Sequence, residues 1–506
     1  MAYGYYAAIT IDNTEVGGTA NITDWPVLVK GTFNGTGTEP DLRVTGSGGH
    51  IENVDETATA DGASDAPADF ACYDDDSMTT EYDFEIASYD KTTGAIEFWV
   101  RIPTLDYDND TIFYIHYGDS GVTTSQETIT TVWTTKGFVS VYHGENVYDS
   151  CGNNNLTSTG VTYATAKVGK GFIFDSDTDG LAKASPSGLT SVTRLGILAW
   201  TQIADLNFDS GSLIAGRWGT TVANQQFICQ ILQDSDSNKF RLYGRSGTSA
   251  LNVMSDAAIG IDNEVMFIAA KIDFSSTTAG TFDIWKNGAS VNNTRTAGTG
   301  TLNDSTYDLE IGYRAVQDAN AIDDGYLDEE MIFTFDITTG MVLTMYNNMN
   351  DPSSFYTMGE EQGGADTIAL TGTITTAVES DIVDGGKTIL LAITGDTWVA
   401  DDGTFDGQRQ NIIDGLDSAQ SEGAGWDAEV KAKMNVSEVV RTSDTVVTIT
   451  LLAQAGYVIT ANETITATIP STALTGGVEI VASPTFTITN ETGVTARLRS
   501  LMGIGL

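Results

Sequence analysis

Basic side chains are scarce. Lysine and arginine together number 24 against 69 aspartates and glutamates, a net charge of −45 over 506 residues. Such a polyanion repels phosphate, which excludes nucleic-acid binding by the bulk of the chain and leaves divalent cations as compatible partners. Cysteine is scarcer still. Cys72, Cys151 and Cys229 are odd in number and have no paired spacing, so neither a disulfide framework nor a zinc site is expected. The histidines (His50, His116, His143) are scattered, and each reads as an ordinary strand or surface residue. No run reaches the roughly 18 apolar residues that span a bilayer, so no membrane insertion is expected. The opening MAYGYYAAITIDNTEV has neither a basic segment nor an apolar one, and the expectation is a chain made in a cytoplasm without a secretory signal. There is no G-x-S-x-G, no H-E-x-x-H and no phosphate-cradling loop, and no catalytic residue is assigned.

What is abundant is glycine (53 residues) and alternating Thr/Val/Ile, with 41% hydrophobic residues overall and hardly any sustained helical periodicity. That pattern predicts an all-β protein, and the length predicts about three domains. Residues 1–122 carry strand-like runs such as YYAAITID, DWPVLVKGTF and IEFWVRIPTL, with a hairpin signal at Thr92-Thr93-Gly94. Residues 137–362 form the second unit, where Asn287-Gly288 is a strong two-residue turn signal and Phe172 and Trp200 read as core. Residues 366–490 form the third. Within it Ile412, Ile413, Leu416, Trp426, Val430 and Met434 recur at three- and four-residue spacing, as one or two amphipathic helices broken near Gly423. The last stretch, 491–506, is read as a docking tail: Arg497 and Arg499 stand beside Leu498, Leu501 and Met502, which leave water only by packing on another surface.

One acidic pattern looks catalytic. On a strand, Glu81, Asp83 and Glu85 would share a face, the spacing that one family of retaining glycan hydrolases uses. The alternative is an acidic strand edge, since Asp74, Asp75 and Asp76 lie close by.

The loop DSCGNNNLTSTG at 149–160, the strand VGKGFIFD at 168–175 and the closing GYLDEEMIF at 325–333, followed by a short apolar run, together resemble the two ends of a laminin-G-like domain of the concanavalin type. The resemblance implies a jelly roll whose first and last strands meet, with Asp149 near Asp328. It also implies structural calcium, to which Asp149, Asn153, Asn155, Asp328 and Glu329 offer oxygens, with Asp175 nearby. The same side chains serve equally well as turn caps. A glycan-binding role would fall on Trp218, Tyr243, Trp285 and Tyr313, each of which can instead be core. Residues 1–122 resemble an uncharacterised β-sandwich domain that precedes laminin-G-like modules, through Trp25-Pro26-Val27-Leu28, residues 98–103 and residues 114–118. Residues 366–490 read as an immunoglobulin-like sandwich similar to a C-terminal domain of predicted phage structural proteins, through TGDTWV and ITATIPSTALTGG.

These resemblances imply three sandwiches in series and a non-enzymatic structural protein of a virion surface: a head fibre, decoration protein or tail fibre of a tailed phage. Its partners would be other virion proteins, its own copies and a cell-surface glycan. A cell-surface adhesin or surface-layer protein, and a glycan hydrolase, are the rival readings.

Overall fold

The computed structural model describes residues 3–56, 66–206, 211–232, 238–275, 282–296, 298–315, 321–322, 324–363, 366–371, 374, 376–394, 396–400, 403–420, 423–475 and 480–491. The expected docking tail (Arg497, Leu498, Arg499, Leu501, Met502) lies outside them. The chain is all-β with short helices, and it divides into two compact units, residues 1–361 and 362–506.

In the first unit the N-terminal strands form two sheets. One runs Tyr356–Met358, Tyr5–Ile11, Thr111–Tyr117, Phe70–Tyr73, Glu81–Tyr82, and the other Ile22–Thr32, Ala95–Leu105, Phe84–Asp90. The central strands form two larger sheets. In one, the Gly325–Phe333 strand lies between Lys170–Phe174 and Arg194–Ile203 and also pairs with Phe138–Tyr142. The other is built around Gly211–Trp218, Gln225–Leu232, Phe240–Ser246 and Ser249–Ser255. The two faces between these larger sheets carry one apolar core, including Phe172, Ile197, Phe227, Leu242 and Ile332.

A second core joins the N-terminal sheets to the outer face of the Gly325–Phe333 sheet. Trp25, Trp99, Trp133, Phe138, Trp200, Phe333 and Met345 belong to it together. Residues 1–122 and 137–362 therefore share apolar surface within one unit. The sequence carries the physical reason: the Arg194–Ile203 and Met266–Asp273 strands are buried along almost their whole length, as strands covered on both faces must be. Close approach is built in at Gly196, where a Cβ would lie 2.1 Å from the Phe333 ring. The helix Thr339–Asn350 follows the closing strand, and the Thr338 side chain caps it by accepting from the Met341 N–H. Inside the first unit Asn348 completes the junction: its Oδ1 accepts from the Leu28 N–H at 2.7 Å and its Nδ2 donates to the Leu28 carbonyl at 2.9 Å.

The second unit holds a sheet of Val439–Arg441, Val446–Leu451, Lys387–Thr394, Asp366–Thr371 and Ile480–Ala482, and another of Ala377–Val378, Thr485–Thr489, Glu463–Ala467 and Leu416–Ser418. The expected helical insertion is the helix Thr404–Asp414 and a π-helical turn, Trp426–Val430, which bury Ile412, Ile413, Trp426 and Val430. Buried Glu463 pins it by accepting from the Trp426 backbone N–H, the Ser418 hydroxyl and the Tyr457 hydroxyl. Among the described residues no helix is long and apolar enough to cross a membrane.

Candidate functional site

Three consecutive carboxylates, Asp328, Glu329 and Glu330, sit on the Gly325–Phe333 strand, and all three are buried. Against Arg194–Ile203 the register pairs Leu198 with Met331 but Trp200 with Asp328, so the closing strand bulges here by one residue. Glu329 takes φ +51° to form the bulge, a conformation rare for a residue with a Cβ. The bulge sends successive carboxylates to different surroundings. Glu330 shares its face with Ile332 and enters the core between the two large sheets; neither of its oxygens has a hydrogen-bond partner among the described residues. Burial holds its carboxyl well above the usual carboxylate range.

Glu329 turns the other way, toward His143. His143 Nδ1 is 2.8 Å from Glu329 Oε2, and Nε2 is 3.4 Å from Glu85 Oε2, an ion pair longer than a hydrogen bond. Glu85 comes from the N-terminal sheets, is fully buried, and accepts from Trp133 Nε1 at 2.5 Å and Ser150 Oγ at 2.6 Å. Burial alone would lower the His143 pKa, but Glu329 and Glu85 raise it well above the usual histidine value. It stacks on Trp99 at 5.8 Å. A cavity of about 10 Å³, lined by His143, Glu145, Tyr148 and Ser150 among others, gives it room for about one water. No sequence signal marked His143, and Glu85 stood out only for its spacing from Glu81 and Asp83, because the partners that meet here are more than forty residues apart in the chain.

The acidic strand does not form a common face. Glu81 pairs opposite Tyr73 in one sheet, while Glu85 pairs opposite Trp99 in the other. Asp83 lies between them and is occupied by Arg101 and the Thr128 hydroxyl. The chain changes sheets within the motif, which separates its carboxylates.

The candidate calcium oxygens are mostly engaged by donors. The Asp149 carboxylate accepts from the backbone N–H groups of Val141, Cys151, Asn153 and Asn154, at 2.8 to 3.2 Å. Asn155 Oδ1 accepts from the Asp149 N–H at 2.9 Å, and the Asn153 side chain donates to the Cys151 carbonyl. Asp328 Oδ2 accepts from the Val168 N–H at 2.6 Å, and Glu329 is taken by His143. Calcium requires six to eight oxygens converging on one point. Among the described residues no group of three or more His, Cys, Asp or Glu side chains is placed to hold a metal. The donor set does not fit calcium; these residues tie the 149–155 loop and the 167–168 turn to the strands. Chelation by EDTA is therefore expected to leave the melting temperature of the protein unchanged, and a calcium-dependent rise in a thermal melt overturns this.

Of the four aromatic candidates, two come together. Trp218 and Tyr243 lie on the outer face of the Gly211–Trp218 sheet with ring centroids 5.1 Å apart at 67°. Arg241 and Arg245 lie 5.2 and 5.6 Å from the Tyr243 ring centre, and both aromatic rings are half-buried. On the same face the side-chain oxygens of Gln230 and Asn252 are buried without a hydrogen-bond partner among the described residues. Tyr313 stands apart, against Gly180. Trp285 is buried in the opposite sheet, donating to Thr339 Oγ1 at 3.1 Å with the Lys271 ammonium over its ring.

No protein-family model matches the chain, and no curated protein matches it. Among solved structures, the chain is similar to the receptor binding domain of botulinum neurotoxin C/D mosaic serotype, at 10% identity and a TM-score of 0.33, over 51% of this chain and 62% of that one. It is similar to the binding domain of botulinum neurotoxin serotype D/C at 12% identity and 0.34, over 52% and 68%. A heptameric SAP-like pentraxin from Limulus polyphemus follows at 15% identity and 0.24, over 31% and 70%. Likeness this distant carries no conclusion about ligand or activity.

Proposed function

We propose that the chain is a non-enzymatic structural protein of a virion surface, in a head fibre, decoration or tail fibre role, whose central sandwich adheres to host-surface glycans. The observation that carries the adhesive part is the outer face around Trp218 and Tyr243. Two half-buried rings and two guanidiniums gather there on a chain of net charge −45. Ring faces stack on the C–H surface of sugars, and the guanidiniums meet hydroxyls or carboxylates. The virion setting is supported by the resemblance of the three segments to modules of phage structural proteins.

Trp218→Ala and Tyr243→Ala should each weaken adhesion to host cells about tenfold, the scale of one lost aromatic contact of roughly 1 kcal/mol or somewhat more, without lowering the melting temperature by more than a few degrees. Unchanged adhesion in both variants removes the site. Antibodies raised against residues 366–490 should label intact particles in electron micrographs; label confined to a cell envelope replaces the virion reading with a cellular adhesin.

A further inference from the structure

The second unit presents an open sheet face. In the sheet of Val439–Arg441, Val446–Leu451, Lys387–Thr394 and Asp366–Thr371, one face carries Ile389, Leu391, Ile393, Val447 and Ile449 into the core of that unit. Alternation turns the residues between them outward. Register sets these in rows: Val440 opposite Thr448, Thr448 opposite Leu390, and Leu390 opposite Thr371. Val440 keeps 42% of its surface exposed, and Leu452, which continues the outward row of Val446–Leu451, keeps 54%. Among the described residues, every outward position on these four strands is Val, Leu, Ala or Thr. Charged side chains stand at the strand ends, where Arg441 pairs with Asp444 at 2.6 Å and Lys387 with Asp381 at 3.4 Å.

Stretches such as TILLAIT and VVTITL are uncharged on both faces, the pattern of strands that are covered on both sides. Arg194–Ile203 has that pattern and is buried throughout, whereas Lys387–Thr394 has it with one face open. The size of the open face limits what covers it. Four strands about 4.8 Å apart and about 20 Å long offer a footprint of roughly 400 Å², about half of what each partner of a stable dimer buries. A second copy is a poor match, and its net charge of −45 adds repulsion. A single extended segment of chain fits the footprint.

We infer that this face is the docking site of the chain's own residues 494–506. That segment, VTARLRSLMGIGL, holds Leu498, Leu501, Met502, Ile504 and Leu506, two arginines and no carboxylate. Its apolar side chains suit Val440, Leu390 and Leu452, and its arginines suit the acidic strand ends such as Asp444. The chain also leaves the described residues at the right place. The Glu491 carboxylate accepts from the Ser380 N–H at 2.8 Å, and Ser380 lies in the helix Glu379–Asp384, which leads through Gly385-Gly386 into the Lys387–Thr394 strand. Leu452 stands at the same end, since the Gly386 N–H donates to the Leu451 carbonyl at 2.8 Å and the Gln454 N–H to the Ile382 carbonyl at 3.1 Å. Residues 492–506 reach up to about 50 Å when extended, which exceeds the length of the face. The tether holds the segment at an effective concentration of roughly millimolar, so it outcompetes the same segment of another copy. The inference concerns the second unit and does not rest on the glycan reading.

Pairs of engineered cysteines in the full chain test this, because Cys72, Cys151 and Cys229 are buried and stay out of the reaction. Leu501→Cys is combined in turn with Val440→Cys, Thr448→Cys and Leu452→Cys. The control partner is Val458→Cys, which is 56% exposed and next to Ile459, whose carbonyl accepts from the Asn490 side chain near the point of departure. Mild oxidation should close an intrachain disulfide with at least one face position about tenfold faster than with the control, which the tether alone brings near. Tryptic mass mapping identifies the pair. Adding Leu498→Ser, Met502→Ser and Ile504→Ser keeps both arginines and should slow closure to the control rate. Closure at the control rate for every face position overturns the inference, as does fast closure that survives the serine changes. Disulfides that form only between chains, seen as dimers on a non-reducing gel, also overturn it and make the segment a link between copies.

Discussion

Replacing Glu330 with methionine raises the stability of the first unit. The carboxyl lies in the core between the two large sheets with neither oxygen hydrogen-bonded among the described residues. Burying such a group without a partner costs roughly 1–3 kcal/mol, judged from protein substitutions. A methionine of similar length fills the same irregular space without that penalty. The pH dependence has a definite sign. The folded pKa lies well above the ordinary 4.5, so the folded chain holds this proton more tightly than the unfolded one. That contribution is complete below pH 4.5 and disappears as pH rises through the folded value. Wild-type melting temperature should therefore fall between pH 5 and pH 8 more steeply than that of Glu330→Met. Thermal melts at both pH values check this, and a variant that melts lower than wild type at pH 8 overturns it.

His143→Gln has the opposite effect and a larger one. It removes the cation between Glu85 and Glu329 and leaves two buried carboxylates facing each other, and breaking a buried pair in this way costs about 3–5 kcal/mol. The His143 contribution is fully present below its unfolded pKa of 6.5 and is lost as pH rises through the raised folded value. Urea unfolding at pH 6 should show the midpoint of the first unit falling sharply. Adding Glu329→Gln should recover much of the loss, because the remaining carboxylate then faces a neutral amide. A midpoint unmoved by His143→Gln shows that the ring carries no charge.

The local signals in the sequence served well. Asn287 and Gly288 both take positive φ, as the two-residue turn requires, and Gly94 does so at the Thr92-Thr93-Gly94 hairpin. The Thr404–Asp414 helix and the Trp426 turn bury Ile412, Ile413, Trp426 and Val430 as the spacing predicted, whereas Leu416 stands on the Leu416–Ser418 strand and Met434 lies past the turn, partly buried. Phe172 and Trp200 are core. The acidic motif misled because alternation assumes one continuous strand, whereas the chain leaves one sheet at Tyr82 and enters another at Phe84. The shared core was written into LGILAWTQI as an unbroken apolar run, but such a run does not say which element covers the second face. His143 was invisible for a different reason. Its partners are set by tertiary register, and a lone histidine in a strand has no local pattern that distinguishes it.

The first unit closes on itself at one edge. Its opening strand pairs with Tyr356–Met358, where Ile9 lies opposite Met358 and Ile11 opposite Tyr356, in antiparallel register. The path into this body and the path out of it therefore run side by side. A protein closed this way can be circularly permuted: a short bridge from residue 361 to residue 3 and new ends in the exposed 106–110 loop, which joins strands of two different sheets, would keep the pairing of Tyr5–Ile11 with Tyr356–Met358 intact. It can equally be grafted whole into a loop of another protein, hanging from its host by two adjacent threads.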